Sequence, residues 1–398
     1  MLTGFTLAIK LPPEDTLLRD LTVTSLSYIS EFGEVHNTKV DFLGDVVRVN
    51  APTRQAALEP FMSLLEYAAN IADQKARSMR IGMLRNDQTI LSKLLRKGVK
   101  GYTYLDAIKD FLQTCASTED FDFSSLSYVE VSDGGIKLGR GYFAAINPLI
   151  SERYEHGLEF WRLNYSRELQ VRLDEAWYAL ILAGFSLAAA SLVGNDLLII
   201  YLPEDLIYAA RSSGKIFEAL KALGNLHGFH GKVGEIVHGE RCSTEPFPAF
   251  VLLVSLSLIK KAEDVGALYM LEYSLPLAFC KLRRAGNVFT MLEKRRVELF
   301  DTLKFATKLM REGGQLVEEL TSVARRTLRL GEGIAIRRKN EADFTVYNRF
   351  CTLLLQAIQG AYPPFEVAYY GARYDLIDRE LTEGLIHVFA ERALPTNG

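Results

Sequence analysis

Polar and hydrophobic positions alternate along most of this chain, but between Trp177 and Asn195 the alternation stops. WYALILAGFSLAAASLVGN carries no charge, and a Gly194-Asn195-Asp196 turn follows it. The apolar run Leu197–Leu202 comes next and is closed by Pro203. An uncharged run, turn residues and a short β-type run predict a buried helix, a tight turn and a buried strand. The run approaches membrane-spanning length. Ala, Gly and Ser dilute it, however, and a shorter apolar segment follows after only a turn, so a central core is the expectation.

The same pattern organises the flanks. Residues 5–11 read as a strand stopped by Pro12-Pro13, Leu17–Phe32 as a helix, and Thr38–Val49 as strand pieces around Gly44-Asp45. Leu58, Phe61, Met62, Leu65, Ala68, Ala69 and Ala72 fall at i, i+3, i+4 spacing and predict a long helix over 52–80. Short helices are expected at 91–95 and 102–112. Runs 126–131 and 136–146 flank Ser132-Asp133-Gly134-Gly135, the clearest hairpin signal in the chain. Tyr154, Leu158, Trp161, Tyr165, Leu169 and Leu173 predict one helical stripe, and 205–223 another helix. Beyond Phe250 the pattern is mostly helical: 249–259, 293–310, 316–330, 344–358 and 381–389. The expected fold is α+β, with an N-terminal mixed α/β region carrying a hairpin and a mostly helical C-terminal bundle. Its expected parts are an α+β domain over 1–150, a helix-strand region over 151–245, and a bundle over 246–398.

Charge changes the picture more than composition does. The net charge is −3, yet the basic groups are segregated. Residues 75–100 hold Lys75, Arg77, Arg80, Arg85, Lys93, Arg96, Lys97 and Lys100 against Asp87. Residues 281–296 hold Lys281, Arg283, Arg284, Lys294, Arg295 and Arg296 against Glu293. Residues 325–339 hold Arg325, Arg326, Arg329, Arg337, Arg338 and Lys339 against Glu332. A polyanion-binding surface on an otherwise acidic protein has this distribution. So do solvated helix faces whose acids come from elsewhere in the fold, and at the end of the long helix Lys75, Arg77 and Arg80 also complement the dipole. The second cluster brackets Gly286-Asn287 and the third follows Gly331-Glu332-Gly333, so both are expected on connections suited to phosphate contact. Tyr362, Phe365, Tyr369, Tyr370 and Tyr374, with Arg373, are core or base-stacking residues.

One loop is rich in Gly and His, from Gly224 to Cys242. It reads as a structural turn, as a phosphate-holding backbone with Lys232, or as a metal site of His227, His230, His238 and Cys242. Gly231-Lys232 is followed by Val233, so no P-loop is present, and the His/Cys spacing matches no standard zinc finger. Neither G-x-S-x-G nor H-E-x-x-H occurs, and no constellation has nameable catalytic roles. No cofactor is expected. The start, MLTGFTLAIKLPPED, lacks the signal-peptide pattern, and Cys115, Cys242, Cys280 and Cys351 are scattered. Both features suit reduced thiols in a cytoplasm.

An uncharged helix leads to a strand ending Tyr201-Leu202-Pro203-Glu204-Asp205, then an apolar helix after Pro246-Phe247-Pro248, then basic helices. Over roughly 170–330 this order resembles the large subunit of archaeal type I-A CRISPR interference complexes. The resemblance implies a non-catalytic scaffold that meets crRNA and target DNA, other complex subunits and a helicase–nuclease. It transfers no residue roles. The candidate nucleic-acid contacts rest on charge alone: Lys93, Arg96, Lys97, Lys232, Arg283, Arg284, Lys294, Arg295, Arg296, Arg325, Arg326, Arg329, Arg337, Arg338 and Lys339. Two other readings stay open: a metal-dependent nuclease or hydrolase using the His227–Cys242 loop, and a protein-interaction subunit whose basic patches meet acidic partners.

Overall fold

The computed structural model describes residues 4–118, 121–132, 135–154, 170–212, 216, 220–241, 244–269, 274–337 and 341–390. Its contacts divide into two compact units, Met1–Tyr208 with Ala278–Arg295, and Ala209–Leu277 with Arg296–Gly398. This differs from the expected breaks at 150 and 245. A helix of the expected central region packs on helices of the first 80 residues, and a hairpin from the expected bundle completes a sheet of the first unit. The fold is α+β, as the patterning predicts.

In the first unit, β1 (Phe5–Lys10), β2 (Lys39–Leu43) and β3 (Val46–Ala51) form an antiparallel sheet in the order β1-β3-β2. Its period-2 face buries Leu7, Ile9, Val40, Val47 and Val49. Helix α1 (Leu17–Val35) starts at Thr16, and α2 (Arg54–Ala76) at Thr53. Each threonine hydroxyl accepts a backbone N–H of the first turn. Helices α3 (Arg85–Leu95) and α4 (Tyr104–Ala116) follow. A second sheet has the order β4-β5-β7-β6, from β4 (Val129–Ser132), β5 (Gly135–Leu138), β6 (Phe143–Ala144) and β7 (Gln170–Leu173). The predicted hairpin is β4-β5, and its tip, Asp133-Gly134, lies outside the described residues. Most of the stripe predicted over 154–173 also lies outside them, and its last four residues form a strand rather than a helix.

The uncharged stretch is the centre of this unit. Helix α5 (Glu175–Ala188) is buried at every position from Ala176 to Ala188 and packs on α1, α2 and α4. The helix stops earlier than the uncharged run does. Ala189–Val193 becomes β8, pairing through the Gly194-Asn195 turn with β9 (Asp196–Tyr201), because the pairing satisfies backbone groups that a buried coil would leave open. The described residues contain no helix long and apolar enough to cross a membrane. At the N-terminus of α5, Asp174 accepts from Trp177 N at 3.1 Å. At its C-terminus, the half-buried Lys75 ammonium donates to Ser186 O at 2.8 Å and Leu187 O at 2.9 Å, two carbonyls that the helix itself leaves unbonded. Gly184 sits where α5 crosses α1: an added Cβ would lie 2.2 Å from Leu21 O. The crossing is tied by Ser25 Oγ donating to Leu180 O at 2.7 Å.

After β9, α6 (Glu204–Ser212) begins with Glu204, which takes Arg19 Nε at 2.5 Å, while Arg19 Nη1 reaches Asp45 at 2.7 Å. Part of the Pro203-Glu204-Asp205 signature is therefore an anchor for a buried arginine. The third sheet adds β10 (Pro276–Ala285) and β11 (Val288–Glu298) in the order β11-β10-β9-β8. This corrects the expected bundle over 246–398. The apolar run Leu275–Cys280 leads into strand β10, whose Ala278–Arg283 pairs with β9, and the helix expected from Glu293 starts only at Phe300.

The second unit is helical. α7 (Asn225–Glu240), α8 (Phe247–Lys260), α9 (Val265–Tyr269), α10 (Phe300–Glu312), α11 (Gly314–Arg337), α12 (Glu341–Ile358), α13 (Pro364–Arg373) and α14 (Arg379–Ala390) are its described helices. The apolar α8 is its axis and touches α7, α10, α11 and α12. Its Ser255 hydroxyl meets that of Thr302 at 2.7 Å in the core.

Two outcomes are expected. Gly184→Ala forces α1 and α5 apart and lowers stability by about 1–3 kcal/mol or more, read as a lower urea midpoint. Burial pushes the Lys75 ammonium from its ordinary 10.5 down to about 7. Between those values the unfolded chain holds a proton that the folded chain does not, so stability rises with pH across that window. Lys75→Met removes this slope, and urea midpoints over a pH series compare the two proteins. A wild-type curve parallel to that of the variant refutes the assignment.

Candidate nucleic-acid interface

The chain between α2 and α4 builds a basic surface whose cations lie open among the described residues. After α2 the backbone runs extended, and Gly82 forms an antiparallel bridge with Thr103. The bridge brings the 80–85 segment beside the 100–103 segment. Tyr104 N donates to Ile81 O at 2.9 Å, and a Thr103–Asp106 capping box starts α4. From β10, Arg284 Nη1 donates to Gly82 O at 3.0 Å, so one arginine of the second cluster joins the first.

The key residue is the acid. Asp87, the sole acid among residues 75–100, is completely buried. Its carboxylate accepts from Tyr104 Oη, from Asn147 N at 3.0 Å and from Asn147 Nδ2 at 2.9 Å. Burial pushes its carboxyl above the usual range, against the pull of those hydrogen bonds. With Asp87 facing inward, Arg80, Arg85, Lys93 and Lys100 lie exposed, and among the described residues none has an acidic partner. Arg85, Thr89 and Lys93 form one outer stripe of α3 at i, i+4, i+8. Arg85 occupies the first turn of α3, where a cation opposes the helix dipole and no side chain caps the amides. That terminus suits an anion.

Most of the other described candidates are paired with the protein's own groups. Lys97 pairs with Asp110 at 2.7 Å and Arg96 with Glu175 at 3.5 Å. Lys281 (3.3 Å) and Arg283 (2.6 Å) share Asp196. Burial opposes ionisation of Asp196, but the Arg283 hydrogen bond and the Lys281 charge outweigh it and hold the carboxyl below its usual range. Lys294 reaches Asp20 at 2.8 Å and Asp15 O at 2.9 Å, and Arg295 reaches Glu293 at 2.9 Å; Arg296 is exposed on β11. In the second unit, Arg325 and Arg329 share Glu240 at 2.6 and 3.8 Å. Arg326 stacks over Tyr347 at 4.7 Å in a groove of about 650 Å³ lined by Glu319, Asp375, Asp378 and Glu380, a poor setting for phosphate. Gly331–Arg337 is the last part of α11, not a connection. The Arg337 side chain, Arg338 and Lys339 lie outside what the structure describes.

The Gly/His loop is corrected too: it is helix α7, entered through Gly224 at φ +83°. Leu226, Phe229, His230, Val233, Ile236 and Val237 are buried on one side, an i, i+3, i+4, i+7 pattern that outweighs the poor helix propensity of four glycines. His227 and His238 are eleven residues apart, about 16 Å along a helix axis, and His230 is buried. Cys242 lies outside the described residues, and among those described no group of three His, Cys, Asp or Glu could hold a metal. Lys232 is tied to Leu223 O at 2.9 Å and faces Glu263 at 3.4 Å.

No family model matches the chain, and no curated protein matches it either.

Asp87→Ala orphans the Tyr104 hydroxyl and the Asn147 donors. A stability loss of about 1–3 kcal/mol for each orphaned donor is expected, read by denaturant melts, and a wild-type midpoint refutes the role.

Proposed function

We propose that the chain is a non-catalytic nucleic-acid-binding subunit of a CRISPR RNA-guided interference assembly. The observation that supports binding most directly is the patch of Arg80, Arg85, Lys93, Lys100 and Arg284, whose local acid is turned inside. Four exposed cations on the chain between α2 and α4, with half-buried Arg284 donating to Gly82 O and an uncapped helix N-terminus among them, suit a phosphate backbone rather than particular bases. The order of elements from the uncharged helix to the basic helices supports the assembly: guide RNA and target DNA as ligands, sibling subunits and a helicase–nuclease as partners, and the cytoplasm as the place. The protein-pairing of the other basic clusters fits a scaffold whose charges are largely spent on its own architecture.

Fluorescence anisotropy with duplex DNA, single-stranded DNA and single-stranded RNA over a salt series tests the binding. Five phosphate contacts predict a fall in duplex affinity of about 500-fold between about 50 and 200 mM salt. Changing all five residues to Ala should flatten that slope. Changing the paired residues Arg325 and Arg329 should leave it intact. Wild-type protein that ignores all three ligands at low salt refutes the reading.

A further inference from the structure

The second unit carries a feature that the patch does not explain. Helix α13 turns Val367, Ala368 and Gly371 inward, and a Cβ on Gly371 would lie 2.8 Å from Ile377 Cδ1 and 3.0 Å from a Phe350 ring carbon. Its other face is held outward by that close packing. Phe365 and Tyr369, one turn apart on the outer face, are 67% and 58% exposed. Arg373, also exposed, continues the same stripe one turn further. Beside it, the rings of Tyr370 and Tyr374 lie 4.6 Å apart. The Arg349 guanidinium lies 5.6 Å over Tyr370, and that of Arg373 lies 5.6 Å over Tyr374.

Leaving a Phe-sized ring in water forgoes about 1.5–3 kcal/mol of burial, and two adjacent exposed rings mark a contact surface. Its charges decide the partner. Docking an apolar protein face would strip water from Arg349 and Arg373 without supplying counter-charges. Single-stranded nucleic acid supplies π-faces to the rings and phosphates to the guanidiniums together. The neighbouring acid Glu366 is engaged by the Tyr362 hydroxyl at 2.6 Å, and exposed Asp375 stands at the end of the stripe, past Tyr374. A duplex keeps its base faces stacked and hidden. The rings are separated by about 6 Å along the helix axis, which leaves room for one unstacked base on each.

We infer that the outer face of α13 is a stacking platform for single-stranded nucleic acid, with Phe365 and Tyr369 taking bases and Arg373 and Arg349 taking phosphates. The inference rests on the nucleic-acid reading above and adds to it a strand type and a second surface.

The test compares the full chain with Phe365→Ala/Tyr369→Ala and with Arg349→Gln/Arg373→Gln. The probes are an oligothymidylate of about 12 nucleotides, an abasic strand of the same length, and a duplex. Stacking predicts that the ring variant loses roughly 5- to 150-fold for each ring on the oligothymidylate, with abasic and duplex binding unchanged. The arginine variant should weaken both single strands. Unchanged thermal melts by circular dichroism confirm that each variant is folded. Oligothymidylate binding that survives loss of both rings, or a wild type that binds the abasic strand equally well, overturns the inference. It overturns this inference alone if duplex binding still depends on Arg80, Arg85, Lys93, Lys100 and Arg284. A wild type that binds no nucleic acid overturns both readings. Ring variants that lose self-association or protein capture, but keep oligothymidylate binding, assign the face to a protein contact and overturn it as well.

Discussion

The first unit depends on burying a helix that has no polar face. With every position from Ala176 to Ala188 inside, α5 can be stable only if both termini are satisfied by the protein and its neighbours come close on all sides. Asp174 answers the first demand at one end and Lys75 at the other. Gly184 answers the second, by letting the α1 backbone approach where any side chain would collide. Lys75 shows how the constraint spreads. It belongs to the first basic cluster, yet its N–H groups are used at the end of a buried helix, where two carbonyls would otherwise lack donors.

Elsewhere basic groups are held through their charge. Asp196 gathers Lys281 and Arg283, Glu240 gathers Arg325 and Arg329, and Asp20 holds Lys294. In each case a cation-rich run meets an acid supplied by a distant part of the chain, so sequence segregation does not become surface segregation. The exception is the segment around Gly82. There the local acid is withdrawn into the core, where hydrogen bonds from Tyr104 and Asn147 replace water. Asp87 thus does two things at once: it ties α3 to α4 and to the Asn147 segment, and it leaves the outer face of α3 without a counter-charge.

The legible and illegible parts of the sequence divide along physical lines. Local signals were readable: Gly44 and Gly194 turn hairpins, and the i, i+3, i+4 spacing of α2 lies on its buried face. What failed depended on pairing across the chain. Leu275–Cys280 is as apolar as a helix interior, and the ladder that Ala278–Arg283 forms with β9 draws it into a strand. In Gly224–Cys242 the glycine content points to a loop, while the burial period carried by Leu226, Phe229, Val233 and Val237 makes a helix of 225–240. For the site, the clusters were visible, but which cations stay open was not. Arg80, Arg85 and Lys100 were counted in the first cluster without being singled out. The signal that could have raised them was a lone acid at the third position of an uncapped helix whose first residue is arginine.

Charge and aromatic exposure then separate the two surfaces by chemistry. The Gly82 patch has cations and a helix terminus, and the fully buried Tyr104 ring beneath it lies against Phe289. It can grip phosphates, and the half-buried Tyr102 ring beside it already faces the Lys97 ammonium at 5.7 Å. The α13 face has rings already flanked by guanidiniums and no comparable excess of charge. A ligand held only by phosphates would be bound mainly by the first, since the second offers it only Arg349 and Arg373. A ligand with unstacked bases can use the second, whose strength should depend far less on salt, because stacking releases no counterions.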